Sequence, residues 1–151
     1  MFRRRTVASL VTIFLVFGIN STVFAAKPVI AVFKDANCGC CTGWIKHLED
    51  SGFAVNATNV ADTSAYRKKF QIPATLASCH SAVVGGYAIE GHVPAKDIQR
   101  LLKEHPKAIG LAVPGMPSGS PGMDGPNKMA YDVILVKNDG TQSVFHHYAG
   151  D

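Results

Sequence analysis

The chain has 151 residues, 47% hydrophobic and 17% charged, which fits one globular domain, two at most, and excludes a disordered polar tail. Its net charge of +4 overstates its basic character, because Arg3, Arg4 and Arg5 stand at the N-terminus and every acidic residue lies beyond position 30. Without residues 1–25 those three arginines drop out, the balance is Lys+Arg 12 against Asp+Glu 11, and no electrostatic footprint for nucleic acid remains.

Residues 1–26 read as a secretory signal. Arg3–Arg5 form the positive segment, Val7–Ile19 the apolar one, and Val23-Phe24-Ala25 a cleavage site with tolerated residues at its −3 and −1 positions. The apolar stretch is short for a membrane span of about 20 residues. The expectation is therefore a cleaved signal at 1–25 and a single mature domain at 26–151, with no membrane association after cleavage. Thr6-Val7 after the arginines points to the general export route. The expected compartment is oxidising, a bacterial periplasm. A domain of this size supports a core without disulfide staples, so its four cysteines need not be structural.

The mature chain opens on a buried strand, Pro28–Lys34, rich in β-branched residues. Asp35-Ala36-Asn37 turns the chain into a helix over about 38–51. Cys41, Trp44, Ile45 and Leu48 fall at i, i+3, i+4 and i+7 and form its buried stripe. Asn37 is the expected N-cap and Gly52 the left-handed residue that ends it. His47 is expected on the solvent face. A strand over 53–60 and a short helix over 63–70 follow, the latter stopped by Ile72-Pro73. Strands 79–84 and 87–90 flank Gly85-Gly86, a hairpin signal. Pro94 suits the first position of a third helix that buries Ile98, Leu101 and Leu102 and ends at His105-Pro106. Residues 110–128 read as loop, dominated by Gly, Pro, Ser and Met, with the unit Pro-Gly-Met at 114–116 and again at 121–123. Strands 131–136 and 141–148 around Asn138-Asp139-Gly140 make a C-terminal hairpin. This order predicts an α/β sandwich: a mixed sheet flanked by helices, with an added hairpin and a Met/Gly/Pro loop.

The chemistry concentrates at Cys38-Gly39-Cys40-Cys41, where the first strand meets the first helix. Three thiols in four residues are hard to explain as core packing. Cys38 and Cys41 stand one turn apart, so their sulfurs can share a site. A helix N-terminus favours the thiolate, the form that attacks disulfides and binds metals. Cys79, at the start of the third strand, can face that turn, and convergence of all four cysteines at the rim of the sheet is expected. His80 is an available imidazole, although strand neighbours point to opposite faces. Met116 and Met123 lie in a loop with no core to fill, and a thioether is a soft ligand suited to Cu(I). The loop is expected to close over the cysteines. His146 and His147 adjoin on one strand, so alternation sends only one inward. His92 and His105 flank a helix and read as structural.

A strand ending in Asp35-Ala36-Asn37-Cys38-Gly39-Cys40-Cys41, followed by a helix carrying Trp44, resembles a thioredoxin-like domain. Ser78-Cys79-His80, Gly91-His92-Val93-Pro94-Ala95, Asp97-Ile98, Gly110–Pro117 and Gly119–Met123 resemble the CopG-like copper-resistance proteins. The resemblance spans about residues 28–149. It implies a thioredoxin-like fold, a periplasmic setting, copper bound by the cysteines, and a role in copper redox chemistry or trafficking. The residues agree with it independently, since four soft thiolates select Cu(I) or zinc, and structural zinc sites usually use two separated Cys pairs rather than one crowded knuckle and a lone cysteine. The metal set expected is Cys38, Cys40, Cys41, Cys79, Met116 and Met123. Bridging thiolates would allow a multi-copper cluster, with other periplasmic copper-handling proteins as partners.

Two other functions fit the same cysteines. One is a thiol–disulfide oxidoreductase with Cys38 as nucleophile and Cys41 as resolver. Cys40 argues against it as an extra attacker, while Ile72-Pro73 would support it as a cis-proline beside the site. The other is a binding module held by two disulfides.

Overall fold

The computed structural model describes residues 27–151, so the expected signal segment lies outside the described residues. Alternation along Val29–Lys34 (β1) sends Ile30 and Val32 to one face, where both are fully buried. Helix α1 (Gly39–Asp50) follows, then β2 (Ala54–Asn59), α2 (Thr63–Lys69) and a single 3-10 turn at Ala74–Leu76. Next come β3 (His80–Val84), β4 (Tyr87–Glu90), α3 (Ala95–Glu104), β5 (Ala108–Ala112), β6 (Tyr131–Lys137) and β7 (Gln142–Tyr148). The strands form one seven-stranded sheet in the order β2-β1-β3-β4-β5-β6-β7. β1 is parallel to β2 and antiparallel to β3, and β4 is parallel to β5. This is the mixed α/β sheet the element order predicts, with β6 and β7 as the added hairpin.

Apolar side chains cover both faces of the sheet. Trp44 and Leu48 of α1 and Ile98 and Leu101 of α3 join Ile30, Val32, Ala82, Val84 and Leu111 in the larger core. Ile72 and Leu76 pack with Ala88, Ala112 and Val136 in a smaller one. Among the described residues no helix is long and apolar enough to cross a membrane.

Five local expectations are corrected. Residues 110–128 are not all loop, because Ala108–Ala112 forms β5 between β4 and β6. Its sequence, AIGLA, carries a glycine at its centre because the strand lies close against β4: a side chain at Gly110 would meet the Ala88 carbonyl oxygen at 1.8 Å. Asn37 does not cap α1. Its N–H is held by the Asp35 carboxylate, and Cys38 becomes the N-cap residue without a side-chain hydrogen bond. Pro94 is the N-cap of α3 rather than its first residue, and the half-buried His47 of α1 turns away from solvent to accept the Ala95 N–H at 3.0 Å. No peptide bond among the described residues is cis, so Ile72-Pro73 is trans and Pro73 instead starts the 3-10 turn.

Candidate metal centre

Two elements deliver the sulfurs. The turn after β1 ends at Cys38, and the first turn of α1 carries Cys40 and Cys41. Trp44, one turn further, anchors this helix: its ring is fully buried and its Nε1–H donates to the Val93 carbonyl at 2.8 Å. Cys79 arrives from the other side, one residue before β3. The Sγ atoms of the four cysteines all lie within 4.8 Å of one another. Cys38 and Cys41 are joined in a disulfide, while Cys40 and Cys79 are free. Cys79 Sγ is 3.6 Å from Cys41 Sγ and 3.9 Å from Cys40 Sγ, and Cys40 Sγ is 3.5 Å from Cys38 Sγ. The convergence expected from the sequence is present.

Two histidines complete the cluster. His80 Nδ1 lies 3.3 Å from Cys79 Sγ, and His92 Nε2 lies 3.1 Å from it. Both rings are fully buried. His92 was expected to be structural, and this is corrected: it reaches the centre because β3 and β4 are one hairpin. The tight turn at Gly85-Gly86, both with positive φ, pairs Val84 with Tyr87 and Ser81 with Glu90. Two residues beyond that last pair, Cys79 faces His92. The hairpin signal together with residue counting contained this position. His146 and His147 lie elsewhere, on β7, with their Nδ1 atoms 2.7 and 2.6 Å from the Asp97 and Asp132 carboxylates. His105 ends α3 in a left-handed conformation.

The loop expected to cover the site touches it at two places. Gly115, in the first Pro-Gly-Met unit, donates its N–H to the Ala77 carbonyl and accepts the Ser78 hydroxyl, just before Cys79. In the second unit, the Pro121 carbonyl accepts from His92 Nδ1 at 2.8 Å, and Gly122 lies against the backbone of Cys40, Gly43 and Trp44. Neither methionine thioether is hydrogen-bonded to the cysteine sulfurs. Met116 is 51% exposed, and Met123 is half-buried.

Burial sets the electrostatics. It pushes the Cys79 thiol up to about 12, with the neighbouring Cys40 adding to the shift. Burial, reinforced by His92, pushes His80 down to about 3, so this ring is neutral at physiological pH. His92 is lowered by burial, against the opposing bond to the Pro121 carbonyl. That bond fixes the tautomer: Nδ1 carries the proton and Nε2 presents a lone pair to the sulfurs. His80 Nε2 is buried with no hydrogen-bond partner among the described residues. Two neutral imidazoles and up to four thiolates form a soft donor set that fits copper.

Behind Cys79, Glu90 holds the start of β3. It is 1% exposed, accepts the Ser78 N–H at 2.9 Å and the Ser81 hydroxyl at 2.5 Å, and has Arg67 at 3.6 Å. Burial raises its carboxyl, opposed by Ser81, Ser78 and Arg67. Glu90→Ala leaves two buried donors unpaired and should destabilise the fold by about 3 kcal/mol, whereas Glu90→Gln keeps the shape and should cost about 1 kcal/mol. Urea unfolding midpoints measure the difference, and equal losses would mean that Glu90 only fills space.

Residues 76–123 match the family described as "Protein of unknown function, DUF411". No curated protein matches the chain. Two solved structures, form 2 and form 1 of a copper resistance protein CopG, are each 47% identical to it with a TM-score of 0.78. The alignments cover 82% and 83% of this chain and 99% and 100% of those chains.

Proposed function

The chain belongs to the CopG family of copper resistance proteins, and from that footing we propose that it is a periplasmic protein that takes copper as cargo and holds it as Cu(I) among Cys38, Cys40, Cys41 and Cys79. The observation that carries this reading is the meeting of four sulfurs from two separate elements within 4.8 Å. Thiolates in such a crowd can bridge, so a multi-copper cluster is part of the proposal. Met123, which follows the Gly122 contact with the Cys40 backbone, and the more exposed Met116 are proposed as additional soft donors. The periplasmic assignment rests on the N-terminal signal pattern. Other periplasmic copper-handling proteins are the proposed partners.

We read β1 to α3 as thioredoxin-like. A parallel β-α-β unit is followed by an antiparallel hairpin and a helix, and the cysteine motif sits between the first strand and the first helix. Binding by all four cysteines requires the Cys38–Cys41 disulfide to be opened by an external dithiol, which gives up two electrons and two protons and leaves as its own disulfide. Copper then displaces thiol protons, Cys79's among them. Handling of Cu(I) and Cu(II) by the same site is part of the proposal.

The disulfide also favours a second reading, a thiol–disulfide oxidoreductase with Cys38 attacking and Cys41 resolving. Cys40→Ser separates the two. It removes one ligand from a shared soft site, so Cu(I) affinity should fall about tenfold, while disulfide reduction should survive or improve because a competing thiol is gone. Competition with a soft Cu(I) chelator, beside an insulin reduction assay, reads both. Full Cu(I) affinity with brisk disulfide turnover would establish the oxidoreductase instead.

A further inference from the structure

The described residues hold two arginines, and only one of them is satisfied. Arg100 pairs with Glu104 at 2.9 Å, donates to the Phe145 carbonyl at 3.3 Å and stacks on the Phe145 ring. The Arg67 side chain, on α2, is only 16% exposed, yet its guanidinium makes no hydrogen bond among the described residues. Its acidic neighbour Glu90 stands 3.6 Å away, beyond hydrogen-bond length. Both Glu90 oxygens are already engaged, Oε1 by the Ser78 N–H and Oε2 by the Ser81 hydroxyl. Five donors left unpaired in a largely buried position carry a free-energy cost that a ligand would remove. Arg67 lines an open cleft of about 410 Å³ with Ser64, Lys68, Gln71, Ile72 and Ala74, and no carboxylate lines it. We propose that this cleft is a binding site for a small oxyanion of the phosphate class, anchored by Arg67.

The local sequence builds this site on one side of α2. Ser64, Arg67, Lys68 and Gln71 fall at i, i+3, i+4 and i+7 along the helix and its exit. Tyr66 fixes another side, stacked on Phe33 of β1 with ring centroids 4.0 Å apart. At the helix end the Arg67 and Lys68 carbonyls accept the Ile72 and Gln71 N–H groups, so neither is left free to repel an anion. Gln71 has φ +62, a conformation that residues other than glycine rarely adopt, and this turn sets Gln71 and Ile72 in the cleft wall. Two carboxylates lie near the cleft without lining it. Glu90 is buried behind Arg67, and the exposed Asp62 accepts the Ser64 N–H as the N-cap of α2. The planar guanidinium fork offers two parallel N–H groups to two oxygens of one ligand. Lys68, exposed and in no ion pair among the described residues, adds a second positive charge, which suits a dianion. The Ser64 hydroxyl and the Gln71 amide supply neutral donors. The cleft is larger than one ion, so free phosphate and a phosphate monoester can use the same contacts. Lys69 belongs to the same basic run but does not line the cleft.

The test is an NMR titration of the isotope-labelled protein, freed of metal and dialysed into chloride buffer, with sodium phosphate at neutral pH and constant ionic strength. The expected result is a set of saturating shifts in the Arg67 Nε–H and the backbone amides around Ser64–Ala74, with a dissociation constant in the millimolar range or below. Glycerol phosphate, titrated in the same way, separates the two sources. Tighter binding than inorganic phosphate assigns a phosphate monoester, and weaker binding assigns the free ion. Arg67→Lys keeps the charge but loses the fork and should weaken binding about tenfold. Because Arg67 also stands beside Glu90, a second variant works at an exposed position. Lys68→Gln should weaken binding about threefold with no change in the unfolding midpoint, and it decides the matter if Arg67→Lys does not fold. Lys69→Gln, outside the cleft, should leave binding unchanged. Shifts that grow without saturating, or that added chloride reproduces, would overturn the proposal. So would full affinity in a folded Arg67→Lys, no loss in Lys68→Gln, or a loss in Lys69→Gln as large as that in Lys68→Gln, which would mark a general basic patch.

Discussion

Replacing Cys79 by serine should lower Cu(I) affinity about a hundredfold or more, further than any other single change in the centre. The reason is its position. Cys79 Sγ is 3.6 Å from Cys41 Sγ, 3.9 Å from Cys40 Sγ, 3.3 Å from His80 Nδ1 and 3.1 Å from His92 Nε2. It alone belongs to both groups of donors. Cys40 belongs to one of them, so its loss should cost about tenfold. The substitution is isosteric at a half-buried site, and the Trp44 to Val93 anchor is untouched, so the melting temperature should move little. Competition titrations of Cys79→Ser and Cys40→Ser against one soft chelator give the ranking. If Cys40→Ser loses more, copper is centred on the α1 turn and Cys79 is peripheral.

Most of this centre is legible in the local spacing of the sequence, and the rest is carried by strand register. Three of its cysteines are adjacent in sequence, so their meeting is local and follows from one helix turn. Cys79 joins them through long-range pairing of β3 with β1, where Lys34 lies beside His80. A strand after a helical crossover returns near the end of the first strand often enough to anticipate that. His92 is different. Its neighbours along the chain include the start of a helix, and helix flanks usually carry structural residues. Its role comes from the partner strand, through the register set by Gly85-Gly86, and local periodicity does not contain that information. His47 eluded the reading for a related reason: its partner is the Ala95 N–H of another helix, and three-dimensional packing overrides the helical wheel. The strand β5 was hidden by Gly110, whose missing side chain reads as loop in sequence yet is what close contact with β4 requires.

The loop makes the last large effect, and glycine makes it testable. Gly122 has φ +81, and a side chain there would meet the Trp44 nitrogen at 2.5 Å and the Cys40 carbonyl oxygen at 2.6 Å. Both contacts are backbone atoms of a helix and cannot rotate aside. Gly115, in the other Pro-Gly-Met unit, has φ +69 but open space where a side chain would go. Alanine at either position pays the left-handed backbone penalty, about 1 kcal/mol. Only alanine at Gly122 adds overpacking against α1, a further ~2 kcal/mol. Gly122→Ala should therefore destabilise the protein by about 3 kcal/mol and Gly115→Ala by about 1 kcal/mol. The larger effect also has a chemical consequence. Displacing Gly122 carries Pro121 with it, and His92 loses the carbonyl that fixes its tautomer at 2.8 Å. Copper affinity should then fall in Gly122→Ala, by about tenfold, although no ligand has been changed. Urea unfolding and chelator competition on the two variants measure both effects. Equal stability losses would show that the loop does not seat against α1, and unchanged copper affinity in Gly122→Ala would show that His92 needs no support from it.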